Sequence, residues 1–334
     1  MMKGELKRGI RFERLFPSAK LLSLVVLIGQ LMSPAAGHCF DLFVGSGAPG
    51  SFSYFSGRVL CRMINNQIED VQCRQVAAES ELHNLTNLLD GSLDLSLVDS
   101  RPLFDALNKT GRYQFLDIDY KNLQALGPLY ATPATLVVRN DAQVKTLDKL
   151  KGKRLNAGAP QSSQYLAVGS ILKAKRWTKK DFSLFGDLPP SYARDDIKAF
   201  CYGTMQAMMY VGIHPDLSLK NILKDCDASL LNINDLDMKA LISADPALWT
   251  VELAGGTYPD QPEEIETFGT RTLLVVSADF DEEIADKVVR LIDENKDNLL
   301  AAHPALSLFS SPDARESTVG IGFHPSTVRY FSTR

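Results

Sequence analysis

Two short runs carry the residue types of a small-anion site. Gly47-Ala48-Pro49-x-Ser51 and Gly158-Ala159-Pro160-x-Ser162 stand 111 residues apart. In each, a glycine–proline turn delivers the chain to a serine that opens an apolar-periodic stretch. A serine at such a position can accept a hydrogen bond from the first turn of a helix. The helix start itself offers backbone N–H groups and a partial positive charge of about one half. Ser46, Ser51, Ser53, Ser162 and Ser163 add hydroxyls. Facing one another, two such turns would hold a carboxylate or a phosphate. Taken singly, each serine is equally well explained as a plain helix cap.

Other chemistries are weakly supported. Gly45-x-Gly47-x-x-Gly50 fits a dinucleotide fingerprint, with Glu69 and Asp70 near the expected acid. Pro49 stiffens that turn, and the second copy, Asn156 to Gln161, keeps only one of the three glycines. No Gly-x-Ser-x-Gly elbow is present, so a serine hydrolase lacks its signature. The histidines His38, His83, His214, His303 and His324 have no metal-ligand spacing to a second His or Cys. His214 follows an apolar strand and is a candidate for a cleft wall, or else a capped turn histidine. The basic run Lys173 to Lys180 reads as a solvated helix end, with a contact to a partner protein as the alternative.

The elements that must position these turns come in two similar sets. Besides the Gly-Ala-Pro turns, Leu88 to Val98 matches Ala199 to Met209, with Gly91 and Gly203 in register. Each half reads as a short apolar strand, a Gly-rich turn and a helix. The first helix carries Phe55, Val59, Leu60, Met63 and Ile64 on one face, the second Tyr165, Leu166, Val168, Ile171 and Leu172. Later in each half a helix stops at Gly91 or Gly203 and a strand follows, Leu93–Val98 or Met205–Val211. Alternating strands and helices predict parallel sheets with helices on both faces: an α/β chain of two doubly wound lobes. Leu136–Val138 and Thr272–Val276 would be extended segments crossing between the lobes. The expected boundaries are 38–135 plus 269–334 for lobe 1 and 136–268 for lobe 2. Glu282 to Leu300 reads as one amphipathic helix returning to lobe 1.

The 334 residues carry a formal charge of −4, with 45% hydrophobic and 23% charged residues. That composition excludes a disordered chain and a multi-span membrane protein, and nothing in it marks a nucleic-acid binder. Residues 1–37 combine a basic start, an apolar run at Leu21–Met32 and small residues at Ala35 and Gly37. This is the pattern of a secretory signal peptide, and the run is shorter than the roughly 20 residues a membrane span needs. The segment holds six Lys and Arg against two Glu, so the remainder carries a formal −8. All five cysteines follow it, where disulfides are permitted. Cys61 with Cys73, and Cys201 with Cys226, are candidate local staples, although four cysteines allow three connectivities. Cys39 is left over.

Several ordered segments resemble the extracytoplasmic solute receptors of tripartite (TRAP) transporters, TAXI subfamily. They are Cys61–Asn65, Cys73-Arg74, Leu88–Ser100, Thr146–Arg154, Trp177–Phe182, Val211–Pro215, Gly255–Tyr258 and Phe268–Asp279. The resemblance covers about Asp41 to Tyr330. It implies a periplasmic receptor with a hinged fold like the type II periplasmic binding proteins. Such a receptor closes on a small organic acid or amino acid, glutamate-like or dicarboxylate, and hands it to membrane permease subunits. Three turns depart from the family pattern. The first is Ser51-Phe52-Ser53-Tyr54, the second Ala78-Glu79-Ser80-Glu81, the third Asp99-Ser100-Arg101-Pro102. They bring carboxylates and one guanidinium to the expected wall. Arg101 would fork onto a ligand carboxylate, or else pair with Asp99 or Glu79 at the rim.

The candidate ligand-binding set is therefore Ser46, Gly47, Phe52, Tyr54, Glu79, Ser80, Asp99, Ser100, Arg101, Tyr130, Pro160, Ser162, Ser163, Tyr210, Gly212 and His214. No catalytic residue, metal or cofactor is expected, and no nucleic-acid partner. The expected state is a periplasmic monomer that meets its permease. A sensory input module and a secreted enzyme on the same two-lobed scaffold are the alternatives.

Overall fold

The computed structural model describes residues 40–187, 193–309 and 318–333. The expected signal segment, His38 and Cys39 lie outside the described residues. The first half runs β1 (Phe40–Ser46), α1 (Phe52–Gln67), β2 (Val71–Ala77), α2 (Glu81–Leu89), β3 (Leu95–Asp99) and α3 (Ser100–Leu107). A long strand, β4 (Leu123–Arg139), leads away from it. The second half follows as β5 (Arg154–Asn156), α4 (Ser163–Lys175), β6 (Leu184–Gly186), α5 (Ala193–Cys201), β7 (Ala207–Val211), α6 (Leu217–Asp225), β8 (Ala228–Leu231), α7 (Leu236–Ala244) and β9 (Trp249–Leu253). β10 (Ile265–Ser277) returns, followed by α8 (Glu282–Glu294), α9 (Lys296–Ala302) and α10 (Pro325–Ser332).

The strands form one sheet in the order β2-β1-β3-β10-β4-β7-β5-β6, with β8 paired to β4 and β9 to β10. β1 is parallel to β2 and β3, and β5 is parallel to β6 and β7. β4 and β10 pair antiparallel along most of their length. β4 then continues against β7, Ala134 opposite Val211, while β10 reaches β3, Thr272 opposite Asp99. β4 holds two prolines, Pro128 and Pro133. Proline cannot donate to a ladder, and the β10–β4 register shifts beside Pro128, between Thr272 and Leu273.

Helices cover both faces of each half, as a doubly wound arrangement requires. In the first half, α1 and α8 pack one face through Leu60, Ile64, Val288 and Ile292. α2 and α3 pack the other through Leu85, Leu88 and Leu103. In the second half, α4 and α7 bury Val168, Ile171 and Met238, while α5 and α6 bury Phe200, Leu219 and Leu223 on the opposite face. The first pair of clusters takes its β4 and β10 residues from Leu123–Tyr130 and Leu273–Val276. The second pair takes them from Ala134–Val138 and Ile265–Phe268.

Two expectations need revision. The helix expected over 282–300 is broken at Asn295, whose backbone sits at φ −110°. Its side-chain amide donates to the carbonyl of Leu291 at 2.9 Å and exchanges hydrogen bonds with Gln67, so it competes with the helical ladder. The faces of two helices are also narrower than their periodicity suggests. Phe55 is 38% exposed on α1 and Leu166 54% exposed on α4. Cys61–Cys73 and Cys201–Cys226 are disulfides, with Cα atoms 5.0 Å and 4.4 Å apart.

Candidate functional site

A cavity of about 480 Å³ lies where the two halves meet. Its first wall is the turn after β1. Gly50 stands at φ +90°, a region that favours glycine, and the chain then enters α1 at Ser51. The Ser51 hydroxyl accepts from the N–H of Tyr54 at 3.1 Å, and the Ser53 hydroxyl accepts from the N–H of Gly47 at 3.0 Å. The N–H groups of Phe52 and Ser53, at the first and second helical positions, have no partner within the helix by construction. A side chain at Gly47 would collide with Ser51, its Cβ 2.6 Å from the hydroxyl oxygen.

Rings close this wall. Phe52 meets Tyr130 of β4 edge-on with centroids 4.8 Å apart, and meets His303 at 4.8 Å. Phe55 lies 5.5 Å from Phe52. Burial pushes the Tyr130 phenol up to about 12, opposed by hydrogen bonds to Thr272 and Ser53. His303 follows α9, and burial lowers its pKa. Its Nδ1 accepts from the N–H of Ala305 at 3.1 Å, which places the proton of the neutral ring on Nε2.

The second wall is the turn after β7: Gly212, Ile213, Pro215 and Asp216. The N–H of Gly212 donates to the carbonyl of Pro133 at 3.2 Å and fastens this turn to β4. A Cβ at Gly212 would lie 2.7 Å from the Tyr210 hydroxyl, so only glycine fits beneath that ring. Burial, and after it the nearby Asp216 charge, push the Tyr210 phenol up. Asp216 caps α6, accepting from the N–H of Leu219 at 2.7 Å, and its own N–H donates to the Tyr258 hydroxyl at 3.0 Å. That hydroxyl lies 2.6 Å from Nδ1 of His214 and is placed to donate to it. His214 is 7% exposed, and Nε2 has no protein partner among the described residues. Burial pushes its pKa down to about 4, the nearby Asp216 charge acting in the opposite direction.

Of the sixteen candidate residues, Phe52, Tyr130 and Gly212 line the cavity. Gly47, Tyr54, Tyr210 and His214 are outside the lining: Gly47 and Tyr54 donate their N–H groups to Ser53 and Ser51, and the Tyr210 and His214 rings meet edge-on at 5.5 Å. Ser46 is fully buried, its hydroxyl accepting from Gln75 at 2.7 Å and donating to the carbonyl of Val76 at 3.3 Å. Glu79 is exposed, and Ser80 stands at the cap of α2 without a side-chain bond. Asp99 caps α3, accepting from the N–H of Arg101 at 2.9 Å and from the Thr270 hydroxyl at 2.5 Å. Burial pushes its pKa up to about 6, against those hydrogen bonds. The buried Ser100 hydroxyl donates to the carbonyl of Ala247 and accepts from the N–H of Arg271. Arg101 pairs with neither expected partner: its guanidinium reaches Asp245 at 2.7 Å, on the segment between α7 and β9.

The Gly-Ala-Pro turn of the second half stands outside the cavity lining. Ser162 caps α4, accepting from the N–H of Tyr165 at 3.2 Å, while Pro160 and Ser163 are exposed. The helix start opposite α1 is that of α6. The strand order gives the reason: β7 lies directly beside the crossover strand β4, whereas β5 lies one strand farther out. Ligands in such sheets sit where the strand order switches.

Thr132, Asp216 and His303 are among the lining residues that the candidate set left out. Asp216 did carry a signal, an Asp directly before the apolar-periodic Leu217–Leu223. His303 carried none, since only the tertiary fold brings it to Phe52. Among the described residues no group of three or more His, Cys, Asp or Glu is placed to hold a metal ion. Among them, too, no helix is long and apolar enough to cross a membrane.

This architecture is that of the periplasmic solute-binding proteins. A TctC solute-binding protein from Polaromonas superposes with a TM-score of 0.55 at 13% identity, covering 80% of this chain and 88% of its own. A putative periplasmic sulfonate-binding protein, SsuA, of Methylobacillus flagellatus gives 0.51 at 14% identity, covering 83% and 76%. Residues 44–333 match the model of the NMT1-like family, and the chain belongs to that family.

Proposed function

We propose that this protein is a periplasmic receptor for a small organic acid or amino acid, serving uptake through the membrane permease subunits of a TRAP-type transporter. Residues 1–37 act as the export signal. Lobe 1 (38–135 plus 269–334) and lobe 2 (136–268) close on the ligand about β4 and β10. The cavity carries this reading. It has the start of α1, where Ser51 takes the Tyr54 N–H and those of Phe52 and Ser53 have no helical partner, and aromatic rings on one wall. On the other it has a glycine turn and a fixed carboxylate, with the crossover strand between them. The ligand is bound without conversion.

A thermal-shift screen of the purified protein against amino acids and mono- and dicarboxylates tests this. One ligand raises Tm and is recovered unchanged. At a hundredfold excess over Kd the stabilisation is about 2.7 kcal/mol. Turnover of a compound that gives no shift contradicts the reading.

A further inference from the structure

Charge across the cavity is uneven. Among the described residues that line it, Asp216 is the sole carboxylate and none is Lys or Arg. The arginine best placed by sequence, Arg101, is bound to Asp245 instead. Asp99 and Glu81 add negative charge on the side of Tyr130. A second carboxylate on the ligand would therefore meet like charge with no cation to offset it. The start of α6 already carries the Asp216 carboxylate on its Leu219 N–H. Among the described residues this leaves the start of α1, at Phe52 and Ser53, to take an anion, and it suits a single carboxylate.

Asp216 does not swing freely. The Leu219 N–H holds its carboxylate, and its backbone N–H is tied to Tyr258. A carboxylate fixed at a cavity wall can take a cationic nitrogen at low ordering cost. Between the two polar ends the surface is apolar and aromatic: Phe52, Phe55, Tyr130, Ile213 and Pro215.

We infer that the ligand is an α-amino acid with an apolar or aromatic side chain, its carboxylate on the start of α1 and its ammonium on Asp216. This rests on the reading of the cavity as the receptor site and narrows it: the glutamate-like and dicarboxylate ligands are disfavoured.

Isothermal titration of the full protein with L-phenylalanine, L-leucine, L-glutamate, succinate and 3-phenylpropionate provides the test, repeated on Asp216→Asn. Asparagine caps helices as well as aspartate does, so the variant keeps α6, and its unchanged melting curve verifies this. Phenylalanine or leucine should bind best and lose roughly 10- to 100-fold in the variant. 3-Phenylpropionate, which lacks the ammonium, should bind weakly in wild type and no worse in the variant. Tighter binding of glutamate or succinate would overturn the inference while leaving the receptor reading intact. So would an Asp216→Asn protein that binds phenylalanine as wild type does. Silence from the whole panel would overturn the receptor reading itself.

Discussion

His214 and Asp99 pull the pH dependence of stability in opposite directions. The folded pKa of His214, about 4, lies below the ordinary 6.5, so the unfolded chain takes up a proton first as pH falls. Its contribution is complete above about 6.5 and is lost between there and about 4. His303 and His324 are lowered too and act with the same sign. Asp99 is raised from 3.8 to about 6, so its cost appears as pH rises through that window and is constant above it. Asp99→Asn removes the opposing contribution. Urea denaturation between pH 4 and 7 should show stability rising more steeply with pH than in wild type. In NMR titration the His214 ring should stay neutral down to about pH 4. Arg101→Ala tests a different matter. The guanidinium is engaged by Asp245 and 5.5 Å from the Phe104 ring, away from the cavity lining. The variant should lose about 1 kcal/mol of stability and change ligand affinity by no more than about twofold. A collapse of affinity would return Arg101 to the ligand.

The helix starts show how far local sequence reaches. Ser51 and Ser162 were legible as caps, and both accept the N–H three residues on. The strand–helix alternation, the two doubly wound halves and both disulfides were legible as well, because periodicity and short spacing are local signals. Which two helix starts face the same cavity was not, since strand order decides it, and β7 beside β4 put α6 where α4 was expected. The break at Asn295 was hidden for a similar reason: the apolar period continues through it while the side chain bonds Leu291 and Gln67. Ser51→Ala removes the α1 cap and should cost about 1 kcal/mol in chemical denaturation. Opening the Cys61–Cys73 staple with paired serines should cost roughly 3 kcal/mol, since the bridge closes a short local loop.

Across the whole molecule, one sheet keeps the two halves connected, with the proposed receptor cavity where they meet. The four buried clusters each belong to one half, and the strands β4 and β10 run through both. Ion pairing adds a further link at Arg101–Asp245 and a hydrogen bond at Ser100–Ala247. A formal −8 over residues 38–334 gives no general attraction for an anion. A carboxylate must be drawn by the local N–H groups of α1 instead. A second cavity of about 310 Å³, lined by Leu126, Gly127, Phe309, Phe323 and Phe331, is the competing place for an apolar ligand. Hydrogen–deuterium exchange of the protein, with and without the tightest binder from the titration panel at saturation, separates the two. Protection is predicted at the turn 50–55, at 130–132, at 212–216 and around His303. Protection confined to 126–128 and 323–332, or no change at either place, would contradict the assignment of the interlobe cavity as the receptor site.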